Sequence, residues 1–336
     1  MSTVGIIANP ASGKDIRRLV AHGTVFDNDE KVNIVRRILL GLDAVGVERV
    51  LIMPESYGIG TRALDGLELE LEASLLPLQL SFTQEDSTRA AALLAAQGVD
   101  CIATLGGDGT NRVVAKTCGD VPLMPISTGT NNAFPAMIEG TIAGLAAGLV
   151  ARGLANAAVR ATPRLDVFYG EDSDIPDDIA LVDAAIYDER FVASRAIWDV
   201  ARIKEIILTQ VRAGAIGLSA IGAFVPNGTT APGQGLYLRL GPGGQQVLAP
   251  IAPGLVHQVD LAEYRPLAPG DEVVTRYPRP CVLAFDGERE TELRPGTTVR
   301  LRLNAAGPRV IDAPEAVRAA AQAGVFVSDP PPGETP

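Results

Sequence analysis

The stretch Ile102-Ala103-Thr104-Leu105-Gly106-Gly107-Asp108-Gly109-Thr110 decides the architecture. Its first four residues are a short apolar run of the kind that forms a buried strand. Val113-Val114-Ala115-Lys116 then carries a helical signal, so the glycines stand at a strand-to-helix turn. Ligands of open α/β sheets bind outside the carboxyl ends of the strands. Paired glycines let the backbone approach a phosphate closely and present N–H groups, and a helix N-terminus adds a favourable potential for an anion. An acidic Asp108 beside that anion makes chemical sense if it holds Mg²⁺ or accepts a proton from an attacking hydroxyl. For an isolated Gly-Asp-Gly the ordinary turn is the better explanation. The full pentapeptide after a buried strand favours a site.

Working outward, the first half alternates short β-rich runs with longer helical patterns, the signature of βαβ units around a parallel sheet. Val4–Ala8, Arg49–Met53, Leu78–Phe82, Cys101–Leu105 and Leu123–Ile126 are the expected strands, with helices over Glu30–Val45, Ser87–Gln97 and Phe134–Leu154. The many Ala and Gly residues of the last helix suit close packing on a neighbour. After about residue 160 the texture changes to short alternating runs broken by Pro and Gly. Strands are expected over Val159–Phe168, Ala180–Tyr187, Gly235–Leu240, Val256–Leu261, Cys281–Phe285 and Val299–Leu303, with helices over Val200–Arg212 and Pro314–Gln322. The fold expectation is an α/β N-terminal domain with a parallel sheet (1–160), a β-rich C-terminal substrate domain (161–312), and a terminal helix and flexible tail (313–336).

Two further loops fall on the same sheet edge as the pentapeptide. Asn9-Pro10-Ala11-Ser12-Gly13-Lys14 follows the first strand and offers Ser12, backbone N–H groups and Lys14 to phosphates. It is not a Walker A loop, because Ala8 and Asp15 replace the glycine and the Ser/Thr that such a loop requires. Ser127-Thr128-Gly129-Thr130-Asn131-Asn132 follows the strand Leu123–Ile126, and its hydroxyls and amides suit ribose, phosphate or a base edge. The plain alternative is N-capping of a helix starting near Phe134. Late in the chain, Phe285-Asp286-Gly287-Glu288 reads equally as a hairpin turn or as a carboxylate pair, Asp286 with Glu288, completing a magnesium or base site across a domain interface.

Composition narrows the partners. With 29 Lys and Arg against 40 Asp and Glu, the net charge of -11 disfavours nucleic acid and anionic membranes and favours a soluble small molecule. The longest apolar run, Ile142–Val150, is too short to span a bilayer. The chain runs directly into Val4–Ala8 without a basic leader, the pattern expected of a cytoplasmic protein. Cys101, Cys118 and Cys281 are odd in number and far apart, as reduced buried thiols would be. His22 and His257 are the only histidines and lie in no catalytic signature, so proton transfer falls to a carboxylate.

Taken together these residues resemble the NAD-kinase and diacylglycerol-kinase superfamily over nearly the whole chain, most closely its acetoin catabolism protein X branch. The Gly106–Thr110 pentapeptide carries the resemblance most specifically. Asn9–Gly13 and Thr128–Asn132 resemble the diacylglycerol-kinase forms of the first and third loops. Arg164-Leu165-Asp166, Leu218–Gly222, Pro250–Pro253 and Phe285-Asp286-Gly287 resemble the NAD-kinase second domain. The resemblance implies a two-domain, often homo-oligomeric enzyme with a nucleotide cleft between its domains, ATP and Mg²⁺ as cofactors, and Asp108 as the catalytic or metal-organising acid. The nucleotide candidates are then Asn9, Ser12, Gly13, Lys14, Gly106, Gly107, Gly109, Thr110, Thr128, Gly129, Thr130, Asn131, Asn132 and Asp183. Two departures stand out. Val182-Asp183 occupies the place where NAD kinases resembling this chain carry an Asn-Glu pair, and Arg212–Gly217 replaces their Thr-Gly-Ser-Thr-Ala-Tyr stretch. The expected activity is ATP-dependent phosphorylation of a soluble hydroxyl compound, NAD first. A lipid kinase and a non-catalytic nucleotide sensor linked to acetoin catabolism are the alternatives.

Overall fold

Strands buried on both faces lose the period-two alternation of a half-exposed sheet and read as continuous apolar runs. β1 (Thr3–Ala8), β4 (Cys101–Gly106) and β5 (Leu123–Ser127) are such strands, with every residue buried. The structure, a computed structural model, describes residues 1–13, 22, 26–129, 132–171, 173–189, 200–212, 214–228 and 231–327. Around those three strands it places α1 (Asn28–Ala44), β2 (Arg49–Ile52), α2 (Ile59–Leu64), β3 (Glu72–Leu75), α3 (Glu85–Ala96), α4 (Asp108–Ala115) and α5 (Gly140–Ala151). The sheet order is β3-β2-β1-β4-β5-β17-β6, in which β6 (Val159–Ala161) follows α5 and β17 (Arg309–Ile311) returns from the far end of the chain. Pairings from β3 through to β17 are parallel, and β6 is antiparallel to β17. The strand order reverses between β1 and β4, which places the crevice of an open α/β sheet between the first loop and the pentapeptide.

Three expectations change here. The third strand is Glu72–Leu75 rather than Leu78–Phe82, because the edge position beside β2 needs backbone pairing and little burial. The N–H groups of Ser81 and Phe82 go instead to the Asp86 carboxylate. The helix expected from Phe134 begins at Gly140, where the Glu139 side chain accepts from Thr141 N and Ile142 N. The loop at 127–132 is therefore not the cap of that helix.

α5 packs closely on α1. A methyl group at Gly41 would lie 2.6 Å from the Thr141 carbonyl oxygen, and one at Gly144 would overlap the Ile38 carbonyl. The terminal helix α7 (Ala313–Gln322) is capped by Asp312, has Pro314 in its first turn, and buries Ala316 and Ala320 in the same core.

The second half forms a six-stranded sheet, β12-β11-β10-β9-β14-β15, facing a four-stranded one, β13-β16-β7-β8. The six strands are β9 (Asp183–Tyr187), β10 (Ile203–Leu208), β11 (Gly235–Ala252), β12 (Leu255–Leu267), β14 (Cys281–Phe285) and β15 (Glu288–Leu293). The four are β7 (Arg164–Tyr169), β8 (Asp178–Ala180), β13 (Glu272–Arg276) and β16 (Thr298–Asn304). Leu165, Val167, Ile207, Leu283, Phe285 and Leu301 fill the space between the sheets, and α6 (Leu218–Ala223) helps cover the outer face of the larger one.

Three expected elements resolve differently in this half. Val159–Phe168 is two strands in two sheets, divided at Pro163, which has no N–H to continue a ladder. Ala180–Tyr187 is likewise divided at Leu181-Val182, where the chain passes from the small sheet to the large one. The helix expected over Val200–Arg212 is a short 3-10 turn, Val200–Arg202, followed by β10. Ile206 and Leu208 face one core and Ile207 the other, so the strand is apolar on both sides and its alternation is hidden in the sequence.

The α1–α5 crossing gives a test. Helix propensity alone would make Gly144→Ala stabilising by about 1 kcal/mol. Overpacking against the Ile38 backbone costs roughly 1–3 kcal/mol and wins. The urea midpoint is expected to fall with an unchanged slope; a raised midpoint would show that the two helices separate without cost.

Candidate functional site

The three loops read from the sequence meet at the carboxyl ends of β1, β4 and β5, and side-chain hydrogen bonds tie them together. Asn9 Nδ2 donates to Thr110 Oγ1 at 2.9 Å, joining the first loop to the pentapeptide. Thr128 Oγ1 donates to Ser12 Oγ at 2.9 Å, joining the third loop to the first. Within the pentapeptide turn, the buried Thr104 and Asn111 side chains pair at 2.6 Å, and Asn111 Nδ2 holds the Gly107 carbonyl at 2.9 Å. Asn132 Nδ2 donates to Ser127 Oγ at 2.8 Å and to the Gly129 carbonyl at 3.3 Å. The glycines serve this packing: a Cβ at Gly107 would sit 2.7 Å from Asn132 Oδ1, and one at Gly106 2.5 Å from Thr110 Cβ. Gly13, at φ +74°, is pressed against the Thr128 carbonyl. Lys14, Thr130 and Asn131 lie outside the described residues.

Asp108 opens α4, with Gly107 before it in an extended conformation. Its buried carboxylate accepts from Ala133 N at 3.0 Å and Phe134 N at 2.8 Å, which fixes its orientation against the end of the third loop. Arg212, near enough for its charge to feel Asp108, donates to the Ala133 carbonyl at 3.4 Å. Asp108, Ala133, Val182, Asp183, Asp286 and Ser219 are among the residues around a cleft between the two halves of the chain, about 370 Å³ of space that includes open solvent. Asp183 and Asp286 belong to the β-rich half, so the cleft has a loop wall and a sandwich wall.

Asp286 turns inward. With Gly287 it forms the positive-φ turn between β14 and β15, at φ +52° and +77°, a conformation Asp tolerates better than most residues. Its buried carboxylate accepts from Leu181 N at 3.0 Å, Val182 N at 2.7 Å and Asp183 N at 3.3 Å. Burial pushes the Asp286 carboxyl well above the usual carboxylate range, against the pull of Arg112. Arg112, on α4, is 2% exposed, with Nε 3.7 Å from Asp286 and Nη1 3.2 Å from Asp178, and its guanidinium lies over the Phe285 ring. Lys116 adds a 2.7 Å contact to Asp178. Glu288 faces Gly109, where an added Cβ would meet its carboxylate at 3.7 Å. Among the described residues, no group of three or more His, Cys, Asp or Glu side chains has metal-cage geometry.

Residues 4–154 match the ATP-NAD kinase N-terminal domain and residues 163–306 the acetoin catabolism protein X C-terminal domain. The chain is 38% identical over 352 residues to acetoin catabolism protein X of Cupriavidus necator, covering 98% of this chain and 95% of that protein. This chain belongs to the acetoin catabolism protein X family. Its fold is that of NAD kinases: the crystal structure of yeast NADH kinase complexed with NADH superposes at a TM-score of 0.50, with 14% identity over 99% of this chain and 90% of that one. The crystal structure of an NAD kinase from Archaeoglobus fulgidus in complex with ATP gives 0.45 at 14% identity, over 97% of this chain and 100% of that one.

In this member of the acetoin catabolism protein X family, two site-forming cations carry no sequence motif. Arg112 follows the pentapeptide by two residues, and only its burial between Asp178 and Asp286 singles it out. Lys31, fully buried in the first turn of α1, reaches back to the first loop, donating to the carbonyls of Asn9 at 2.9 Å, Pro10 at 3.3 Å and Ser12 at 2.7 Å, and to Asn28 Oδ1 at 3.0 Å. The described histidines stand elsewhere. His22 N donates to the Pro253 carbonyl at 2.9 Å, and His257 is exposed on β12. The three cysteines are free and buried, and burial pushes Cys118 and Cys281 up to about 11 and Cys101 higher still.

The Arg112–Asp286 pair is buried on both sides, so removing Arg112 takes the nearby cation from Asp286, whereas Arg112 without Asp286 keeps Asp178. Arg112→Met is expected to cost about 3–5 kcal/mol of unfolding free energy. Combined with Asp286→Asn it should cost clearly less than the sum of the two single losses. Additive losses in chemical denaturation would show that the two groups do not couple.

Proposed function

We propose that the chain is an ATP-dependent kinase that transfers the γ-phosphoryl group to a hydroxyl of a soluble small molecule in the cleft, with NAD the first acceptor to try. The observation that carries this reading is the placement of three polar loops at the carboxyl edge of the sheet, where the strand order reverses, facing a second wall that bears Asp183 and Asp286. Phosphoryl transfer asks a protein mainly for in-line positioning and for neutralisation of developing charge, and little covalent chemistry. Cross-linked loops supply the first requirement: the bonds Asn9 to Thr110 and Ser12 to Thr128 fix the relative positions of three backbone segments without a ligand. In the proposed roles, the N–H groups of the Gly106–Thr110 turn at the start of α4 receive the phosphates, joined from the first loop by Gly13 N–H, since the Asn9, Ala11 and Ser12 N–H groups are bonded within the protein. The loop ending at Asn132 receives the nucleoside side, and Asp183 contributes from the opposite wall.

Asp108 is the proposed acid-base residue, held by two amide N–H groups with its carboxylate lining the cleft. From there it would accept the proton of the attacking hydroxyl. Magnesium, when bound, would neutralise negative charge on the phosphates. Magnesium sites in phosphoryl-transfer enzymes use one or two carboxylates and the nucleotide's own oxygens rather than an all-protein cage, and Asp108 suits that single-carboxylate role. A second reading, nucleotide sensing without turnover, draws on the same two amide bonds, since they already occupy part of the Asp108 carboxylate. Lipid phosphorylation has less support, because three of the cleft residues are aspartates and the net charge is -11.

The deciding experiment incubates the protein with ATP, Mg²⁺ and a panel of hydroxyl compounds that includes NAD and a diacylglycerol in mixed micelles, and scores ADP formation. A soluble acceptor is expected to support turnover, and Asp108→Asn to lower it by roughly 10²–10⁴-fold with the fold intact by circular dichroism. Turnover on the diacylglycerol alone would select the lipid reading. Nucleotide affinity with no ADP from any acceptor would select the sensor. A rate within a few-fold of wild type in Asp108→Asn would remove Asp108 from the chemistry.

A further inference from the structure

Arg112, Lys116 and Lys31 are each bound to protein groups: Arg112 to Asp178 and Asp286, Lys116 to Asp178, and Lys31 to the first-loop carbonyls. Arg212 differs. A guanidinium carries five N–H donors, and among the described residues the one protein contact of this one is the bond from Nη1 to the Ala133 carbonyl, at 3.4 Å. Charge-assisted bonds of a firmly held arginine run at about 2.7–2.9 Å, so this contact rests the side chain without anchoring it. The residue is exposed, but its backbone is tied down. Thr209, fully buried, donates from N to the Val182 carbonyl at 3.0 Å and from Oγ1 to the Leu181 carbonyl at 2.9 Å. Val211 is buried, and the Ala215 N–H returns to the Arg212 carbonyl at 3.2 Å. A fixed root thus carries a long cation with donors to spare.

Ala133 brings that cation to the acid. Its N–H holds the Asp108 carboxylate at 3.0 Å while its carbonyl receives Arg212. Asp108 and Ala133 line the cleft from the loop wall, and Ile216, Gly217, Leu218 and Ser219, which follow Arg212 in the chain, line it from the sandwich wall. Arg212 therefore stands at the rim, close enough for its charge to feel Asp108. With Asp108, Asp183 and Asp286 around the cleft and a net charge of -11, a bound polyphosphate needs a cation there. A planar guanidinium meets two oxygens of a phosphoryl group at once. Resting on the kinase reading above, we propose that Arg212 reaches the γ-phosphoryl group of a bound nucleoside triphosphate from the sandwich side and neutralises the charge that builds on its oxygens during transfer. In that step the acceptor oxygen bonds to the γ-phosphorus as the bond to the β,γ-bridging oxygen breaks. The electron pair leaves with the diphosphate, the hydroxyl proton passes to Asp108, and Arg212 keeps all its protons.

The test compares wild type with Arg212→Met and Arg212→Lys, with circular dichroism as the folding check. It combines steady-state rates on a soluble acceptor that supports turnover with calorimetric titration of ATP and of ADP in Mg²⁺. Where the wild type turns over, the rates decide. Arg212→Met is expected to lower kcat about 10³-fold with the acceptor KM within about threefold. Arg212→Lys keeps the charge without the fork, is expected to lose about tenfold in kcat, and decides alone if Arg212→Met misfolds. A kcat within about twofold of wild type in both variants, or a loss confined to the acceptor KM, overturns the inference and leaves the kinase reading standing. Where the wild type binds ATP without turnover, the kinase reading falls and the titrations decide. A loss of about tenfold for ATP with ADP within about twofold keeps Arg212 on the third phosphate; equal losses, or none, overturn it. A wild type that binds neither nucleotide overturns both.

Discussion

The cleft depends on how one buried carboxylate is satisfied. Asp286 sits in a hairpin turn without exposure of its side chain, where an ionised group is costly unless hydrogen-bonded and charge-paired. It meets that demand by taking the amide hydrogens of Leu181, Val182 and Asp183, the three residues at which the chain leaves the small sheet and enters the large one. At such a transfer the backbone loses its ladder partners, and buried N–H groups left unpaired would cost more than any single contact there could return. The carboxylate and the crossing solve each other's problem. Arg112 then joins the arrangement to α4, the helix that begins with Asp108, so one buried cation ties the turn on one wall of the cleft to the helix that carries the acid on the other.

A similar economy governs the loop wall. Side chains that sequence inspection would assign to a ligand are bonded to one another: Asn9 to Thr110, Ser12 to Thr128, Asn132 to Ser127. The close contacts that demand glycine at 106 and 107 are with Thr110 and Asn132, not with an empty groove. Preorganised groups of this kind lose little freedom when a ligand arrives, so rigidity is compatible with a binding role. In the first loop the backbone is bonded in the same way, with Ala11 N on Asn9 Oδ1 and Ser12 N on the Asn9 carbonyl, so backbone donors for a ligand come mainly from the turn into α4.

Much of this was legible before the fold was known, and the limits have physical causes. The pentapeptide, the central strands β1, β4 and β5 and the capped helix at Pro314 were readable because each is specified locally, by a buried apolar run or by a cap with proline behind it. That the three loops share an edge followed from parallel connectivity. Their cross-links did not, since Asn9 and Thr110 are 101 residues apart. β10 was hidden because it is apolar on both faces and lies beside a short helical turn, and β3 because an edge strand needs few apolar residues. The splitting of two expected strands between sheets is a tertiary event, marked in one case by Pro163 and in the other by nothing before Asp286 arrives a hundred residues later. Lys31 and Arg112 look like ordinary helix-face cations until burial is known.

The route of β17 has a consequence for how the molecule is made. β6 joins the first sheet only through β17, and β17 is the neighbour that covers β5, yet it lies at residues 309–311. While the ribosome is still adding the sandwich, the parallel sheet therefore has a nascent open edge at β5, the kind of unpaired border that recruits foreign strands. The sandwich is threaded between the two passes of the chain, with Thr162 bonded to the Pro308 carbonyl where they run side by side. Biogenesis of the first half is complete only when the polypeptide has come full circle, and a prematurely terminated chain would carry the aggregation hazard of that exposed border.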